Sequence, residues 1–70
     1  MKRCFFIRAE FKDSEGNNMF VNFGIVTDGS LSNNLIKKEL RDLKPDAENI
    51  DITFFYEFAN ELDYDNFWKV

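Results

Sequence analysis

The clearest structural signal lies in the stretch Lys2-Arg3-Cys4-Phe5-Phe6-Ile7-Arg8-Ala9-Glu10-Phe11, because its side chains alternate in character. The odd-numbered positions from 5 to 11 are all apolar, whereas the even-numbered positions mix apolar with charged side chains. Alternation with period two predicts a β-strand over about residues 2–11 with one buried face. The stretch contains neither glycine nor proline and is apolar enough to form the centre of a sheet.

Two more strands are predicted farther along the chain. A polar segment that includes Gly16 and Asn17 turns the chain, and a second strand follows over about residues 19–26. A third strand is predicted over about residues 49–58. The predicted buried positions of the second strand are Met19, Val21, Phe23 and Ile25. Those of the third are Ile50, Ile52, Phe54, Tyr56 and Phe58, with Asp51, Thr53, Phe55 and Glu57 on the opposite face.

An amphipathic helix is predicted over about residues 31–43, between the second and third strands. Its apolar residues fall near helical spacing, at Leu31, Leu35, Ile36, Leu40 and Leu43. Ser30 or Ser32 can cap its first turn, and Pro45 ends it. The tail, residues 59–70, is predicted to form a short helical turn with Tyr64, Phe67 and Trp68.

These elements predict one α+β domain over residues 1–70, in the order strand, strand, helix, strand and short helical turn. A right-handed crossover makes the third strand parallel to the second. If the third strand then pairs with the first, all pairs are antiparallel and the strand order is 2-1-3. We expect this order, with the helix packed on one face, because Gly24 suits an edge strand.

Composition excludes several classes of protein. The chain has 70 residues, a single cysteine, Cys4, and no histidine. It can form no internal disulfide, which favours a reducing, cytoplasmic setting, and it has no apolar run long enough to span a membrane. Without histidine, and with no carboxylates paired for catalysis, we expect no enzyme activity. Asp63-Tyr64-Asp65 lacks the glycine and the later glutamate of a calcium loop, so we expect neither a metal site nor a cofactor.

One face of the predicted sheet is left without a cover, because a single helix can cover only the other face. The exposed face would hold Cys4, Phe6, Phe20, Val26 and Phe55. Two covers fit: the tail could fold back over it, or a second copy of the chain or another protein could bind it. The predicted partner-binding residues of this aromatic face are Phe6, Phe20 and Phe55.

Charge is distributed unevenly along the chain. The formal net charge is −4, which disfavours direct binding to nucleic acid. Residues 45–70 contain seven acidic and one basic side chain. These carboxylates suggest an alternative function as an acidic decoy that mimics nucleic acid and inhibits a host nucleic-acid-binding enzyme. The residues of this alternative are Asp46, Glu48, Asp51, Glu57, Glu61, Asp63 and Asp65.

The whole chain resembles small proteins encoded by bacteriophages and prophages to which no activity is assigned. Four segments carry the resemblance: the aromatic N-terminal residues 1–7, the turn Gly16-Asn17, residues 47–55 and the C-terminal residues 62–68. It implies a compact strand-strand-helix-strand protein, and such proteins often bind and inhibit a host protein. We therefore expect a non-enzymatic interaction module that acts as a homodimer or binds one host or phage protein. An accessory structural role is a further alternative.

Overall fold

The computed structural model describes residues 2–69, which form one three-stranded sheet and two helices. The elements are β1 (Arg3–Lys12), β2 (Asn18–Thr27), α1 (Asn33–Leu43), β3 (Glu48–Glu57) and α2 (Glu61–Trp68). The strand order is β2-β1-β3, and β1 pairs antiparallel with both neighbours. The predicted α+β fold, its order of elements and the central position of β1 are confirmed. None of the described helices is long and apolar enough to cross a membrane.

The turn between β1 and β2 is held by local hydrogen bonds. The Asp13 carboxylate accepts bonds from the backbone N–H groups of Glu15 and Asn17, each at 2.9 Å. These bonds, that of Asn17 first, hold the pKa of Asp13 below its ordinary value. Gly16 has a φ of +81°, a conformation that glycine adopts without strain. The polar stretch therefore reverses the chain because its own side chains bind its backbone.

Helix α1 begins after Ser32, whose Oγ accepts a hydrogen bond from the backbone N–H of Leu35 at 3.1 Å. Ser32 is therefore the cap, and the helix begins two residues later than predicted. Ile36 and Leu40 are buried against the sheet, but Leu43 is 56% exposed. The last predicted apolar position of the helix thus lies outside the core.

The core lies between α1 and the sheet. Its buried side chains come from the odd-numbered positions of β1 and β2, from α1, and from the loop before β3. They are Phe5, Ile7, Ala9, Phe11, Phe23, Ile25, Ile36, Leu40 and Ala47. The alternation in β1 and β2 is confirmed at these strand positions, which all face the helix as predicted. Met19, the first predicted buried position of β2, is instead 45% exposed.

Strand β3 contains a bulge that reverses the predicted facing of its second half. Arg8 lies opposite Phe54, whereas the next residue, Ala9, lies opposite Ile52, so Thr53 has no partner on β1. The hydroxyl of Thr53 donates a hydrogen bond to the carbonyl of Arg8 at 3.2 Å. Since an extra residue changes which face the following side chains occupy, Phe54 lies on the face away from α1. The prediction that Phe54, Tyr56 and Phe58 face α1 is wrong.

The same bulge moves Phe55 to the helix side of the sheet. Phe55 lies opposite Ile7, a core residue, and lines a groove of about 280 Å³ beside Leu31 and Ile36. Its predicted position on the face with Phe6 and Phe20 is therefore wrong. Ile50 and Ile52, before the bulge, pack against the core as predicted.

Candidate interaction surface

The tail folds back as α2 and covers part of the sheet face opposite α1. The carbonyl oxygen of the Asn60 side chain accepts a hydrogen bond from the backbone N–H of Asp63 at 2.8 Å and caps the helix. The Phe6 ring lies 5.3 Å from the Phe67 ring and 5.9 Å from that of Trp68, centroid to centroid. These are normal distances for packed aromatic pairs. Of the two predicted covers, the tail thus occupies this end of the face.

Gly24 of β2 makes room for the tail. The ring of Tyr64 lies over it so closely that a Cβ at this position would be 2.8 Å from Cζ and 2.9 Å from Cε1 of Tyr64. Only a residue without a side chain allows this approach. Tyr64 also contacts Phe58, with the two rings 5.5 Å apart at an angle of 82°. The position of α2 therefore depends on a residue of an edge strand far away in sequence.

Cys4 is buried under this part of the structure, with 2% of its surface exposed. Burial raises the pKa of its thiol, and the nearby carboxylates of Glu61 and Asp65 raise it further. A thiol of this kind is mostly protonated at neutral pH and reacts poorly as a nucleophile. Burial likewise raises the pKa of Tyr64.

Beyond α2, a cluster of rings remains accessible to solvent. We call it the aromatic surface and define it as Phe6, Phe54, Tyr56, Phe58, Phe67 and Trp68. Phe54 is 53% exposed and Tyr56 46% exposed, and the two tail rings are also exposed. All of these rings except Trp68 line a shallow cleft of about 380 Å³. The surface is concave and almost wholly apolar, which suits an apolar side chain of a partner.

A second groove, of about 610 Å³, adjoins the aromatic surface and has a charged floor. Phe20 of β2 and Phe54 of β3 lie on its two sides, and Arg8 and Glu10 of β1 lie between them. The Arg8 guanidinium lies over the Phe20 ring, with its Cζ 5.0 Å from the ring centroid. This cation–π contact positions a charged group beside the aromatic surface.

The structure brings together only some of the predicted partner-binding residues. Phe6 and Phe20 lie on the face opposite α1, although α2 half-buries Phe6. Phe55 lies on the other face. The sequence reasoning missed Phe54, Tyr56 and Phe58 as members of the surface, because residues 54–56 are all aromatic and alternation cannot distinguish their two faces.

The seven carboxylates of the acidic alternative are spread over several elements. Glu57 accepts two hydrogen bonds from the Arg3 guanidinium, at 2.8 and 2.9 Å, which lower the pKa of Glu57 and raise that of Arg3. Glu61 lies 3.8 Å from the Lys2 ammonium group. Asp46 accepts a hydrogen bond from the backbone of Ser14. The remaining four are the exposed residues Glu48, Asp51, Asp63 and Asp65.

Within residues 2–69, no group of three or more acidic or cysteine side chains is placed to hold a metal ion. Comparison of the chain with protein-family models, with curated proteins and with solved structures gives no match. The chemistry of the aromatic surface is therefore the basis for inferring a function.

Proposed function

We propose that the chain is a non-enzymatic interaction module that binds one other protein through the aromatic surface. The observation that supports this proposal is the set of exposed rings on the face opposite α1. Aromatic residues contribute most of the binding energy in many protein interfaces, because they bury a large area with few rotatable bonds. The helix-side core does not include these rings, so a partner could cover them without any change in the fold.

The size of the surface supports the same proposal. Phe54, Tyr56, Phe67 and Trp68 are each between 41% and 53% exposed. An aromatic side chain has roughly 150–250 Å² to bury, so these four leave about 350 Å² accessible. Patches of about 300–600 Å² are the largest on a typical monomeric protein and are often functional.

The chemistry of the surface indicates the kind of partner. The cleft is apolar, so it suits a partner with an exposed aliphatic or aromatic side chain. Arg8 and Glu10, in the adjoining groove, offer a cation and a carboxylate for polar contacts at the edge of the interface. The resemblance to phage and prophage proteins favours a host protein as this partner.

Two adjacent phenylalanines provide a matched test. Phe54 and Phe55 are 53% and 60% exposed but lie on opposite faces of the sheet. Immobilised wild-type protein, Phe54→Asp and Phe55→Asp are used to capture proteins from a bacterial lysate, and the purified captured protein is then titrated by calorimetry at two salt concentrations. Phe54→Asp should weaken binding about 30-fold or more, as expected for a central interface residue. Phe55→Asp should bind like wild type.

The proposal fails if Phe54→Asp binds the purified protein as tightly as wild type does. It also fails if Phe55→Asp weakens binding equally while circular dichroism shows both variants folded. Binding through an apolar cleft should change little with salt. A steep loss of affinity at high ionic strength, with competition by DNA, would instead support the acidic decoy.

A further inference from the structure

Strand β2 forms an edge of the sheet that lacks the usual protection against pairing. Its sequence, Asn-Met-Phe-Val-Asn-Phe-Gly-Ile-Val-Thr, has no charged residue and no proline. It pairs with β1 in an unbroken register from Arg3–Thr27 to Lys12–Asn18. Natural proteins usually interrupt an edge strand with a lysine, a proline or a bulge. β2 is thus a long, regular and uncharged edge.

The opposite edge is protected. β3 has the bulge at Thr53 and a second shift in register between the partners of Glu10 and Lys12. The second shift lies near Asn49, which has a φ of 52°. β3 also contains three acidic residues, Glu48, Asp51 and Glu57. Bulges and charges both oppose the addition of another strand to this edge, so of the two sheet edges formed by residues 2–69, β2 is the one open to pairing.

The hairpin determines which backbone groups of β2 face outward. The backbone N–H of Asp13 donates a hydrogen bond to the carbonyl of Asn17 at 3.1 Å, next to the first pair of the ladder. Since hydrogen-bonded pairs alternate in an antiparallel ladder, the odd-numbered residues of β2 bind β1. Phe58 donates to the carbonyl of Cys4 on the other side of β1, which agrees with this alternation. The N–H and C=O groups of residues 18, 20, 22, 24 and 26 therefore point away from the sheet.

We propose that two copies of the chain pair through β2 in antiparallel register, with the two-fold axis at Asn22. This register joins outward-facing backbone groups with each other and forms a continuous six-stranded sheet. Phe20 of each copy then lies opposite Gly24 of the second copy, and Asn18 lies opposite Val26. On the helix side, Met19 lies opposite Ile25 and Val21 lies opposite Phe23. The edge is thus complementary to itself.

The exposed apolar side chains of β2 favour a second copy of the chain as the molecule that pairs with this edge. Phe20 is 61% exposed, and Met19 and Val26 are each 45% exposed. In the proposed register Met19 and Val26 each gain a cross-strand side-chain neighbour, Ile25 and Asn18 of the other copy, and such pairs are the main source of stability between paired strands. Phe20 of the other copy would lie beside Gly24 and could contact the edge of the Tyr64 ring that packs over this glycine. The dimer does not depend on the proposed function of the aromatic surface, but it would present two such surfaces on one side of the sheet.

Light scattering tests the dimer across a series from about 10 µM to about 1 mM, because a single strand pair buries less area than a standard interface of about 1,600 Å². The mass of wild type should rise from 8.3 kDa to twice that value. Phe20→Lys should stay at 8.3 kDa throughout, because a lysine on an edge opposes strand addition. The matched control Phe54→Lys changes a ring on the protected edge and should dimerise like wild type.

Asn22→Pro is a second variant that keeps the test decisive if Phe20→Lys does not fold. It removes one outward-facing N–H without touching the bonds to β1, so it should also remain a monomer. Hydrogen exchange gives a direct readout in wild type. The amides of Phe20 and Asn22 should exchange at least tenfold more slowly at the highest concentration, whereas that of Phe23 should be protected at every concentration.

A wild-type chain that remains monomeric at the highest concentration would overturn the dimer. So would a dimer that persists in the folded Phe20→Lys and Asn22→Pro variants. Loss of the dimer in Phe54→Lys alone would assign association to the aromatic surface instead. Failure of the β2 dimer leaves the calorimetric test of Phe54→Asp unchanged, so the two proposals are distinguished.

Discussion

The substitution Gly24→Ala tests whether α2 is held by its contact with β2. In most strands, alanine in place of glycine stabilises the fold by about 0.5–1 kcal/mol, because the unfolded chain has fewer conformations to lose. At this position the new Cβ would lie 2.8 Å from Cζ of Tyr64, well inside normal contact. The three atoms nearest to this Cβ all belong to the Tyr64 side chain, so its ring must leave its place against β2 and Phe58.

The magnitude follows from two opposing effects. Overpacking of this kind costs about 1–3 kcal/mol, which exceeds the entropic gain. The expected net loss is about 1–2 kcal/mol in the free energy of unfolding. For a domain of this size, each kcal/mol corresponds to about 4–8 °C, so the melting temperature should fall by roughly 4–16 °C.

Thermal unfolding followed by circular dichroism measures this loss. Trp68 fluorescence reports on the tail directly, since its ring stacks on Phe6. Gly29→Ala is the matched control, because a Cβ there meets no atom within 4 Å; it should be neutral or stabilising. In a Tyr64→Ala background, Gly24→Ala should lose its penalty. A melting temperature that rises in Gly24→Ala as it does in Gly29→Ala, or a penalty that persists without Tyr64, would contradict this role of the Tyr64 contact.

Three further predictions concern other contacts. The pKa of Glu57 is lowered in the folded state from its ordinary value of 4.5, so its interaction with Arg3 stabilises the fold above that pH and is lost as pH falls through the folded pKa. In urea unfolding, the free energy of unfolding should therefore fall less below pH 4.5 in Arg3→Gln than in wild type. Parallel pH profiles for the two proteins would contradict this. Cys4 should react with a thiol reagent about 100-fold or more slowly in the native protein than in denaturant, and equal rates would show that the tail does not cover it. Ser32→Ala should lower the free energy of unfolding by about 1 kcal/mol in chemical denaturation, whereas Ser30→Ala should not change it, because Ser32 caps α1.

The fold was largely predictable because its signals are local. The alternation in β1 and the helical spacing between Leu31 and Leu40 each lie within a dozen residues. The strand order followed from crossover handedness and from the apolar character of β1, and the structure confirms it. Each of these rests on geometry that a short stretch of chain dictates.

The aromatic surface was less predictable because it depends on one extra residue in β3. Nothing in the row of Phe54, Phe55 and Tyr56 shows that a bulge precedes it, since either phase places rings on both faces. The bulge is visible only in the pairing of β3 with β1, where Arg8 lies opposite Phe54 and Ala9 opposite Ile52.

The local sequence pattern specifies the elements, the order of the strands and the side chains of β1 and β2 that face α1. Which rings remain exposed and where the tail lies depend on contacts between residues that are distant in the chain. Tyr64 and Gly24 are 40 residues apart, and their contact exists only once β2 and α2 are both in place. A local pattern records which side chains alternate. Strand pairing between distant parts of the chain sets the face that side chains occupy after a bulge. Packing between distant parts likewise sets which residues the tail contacts.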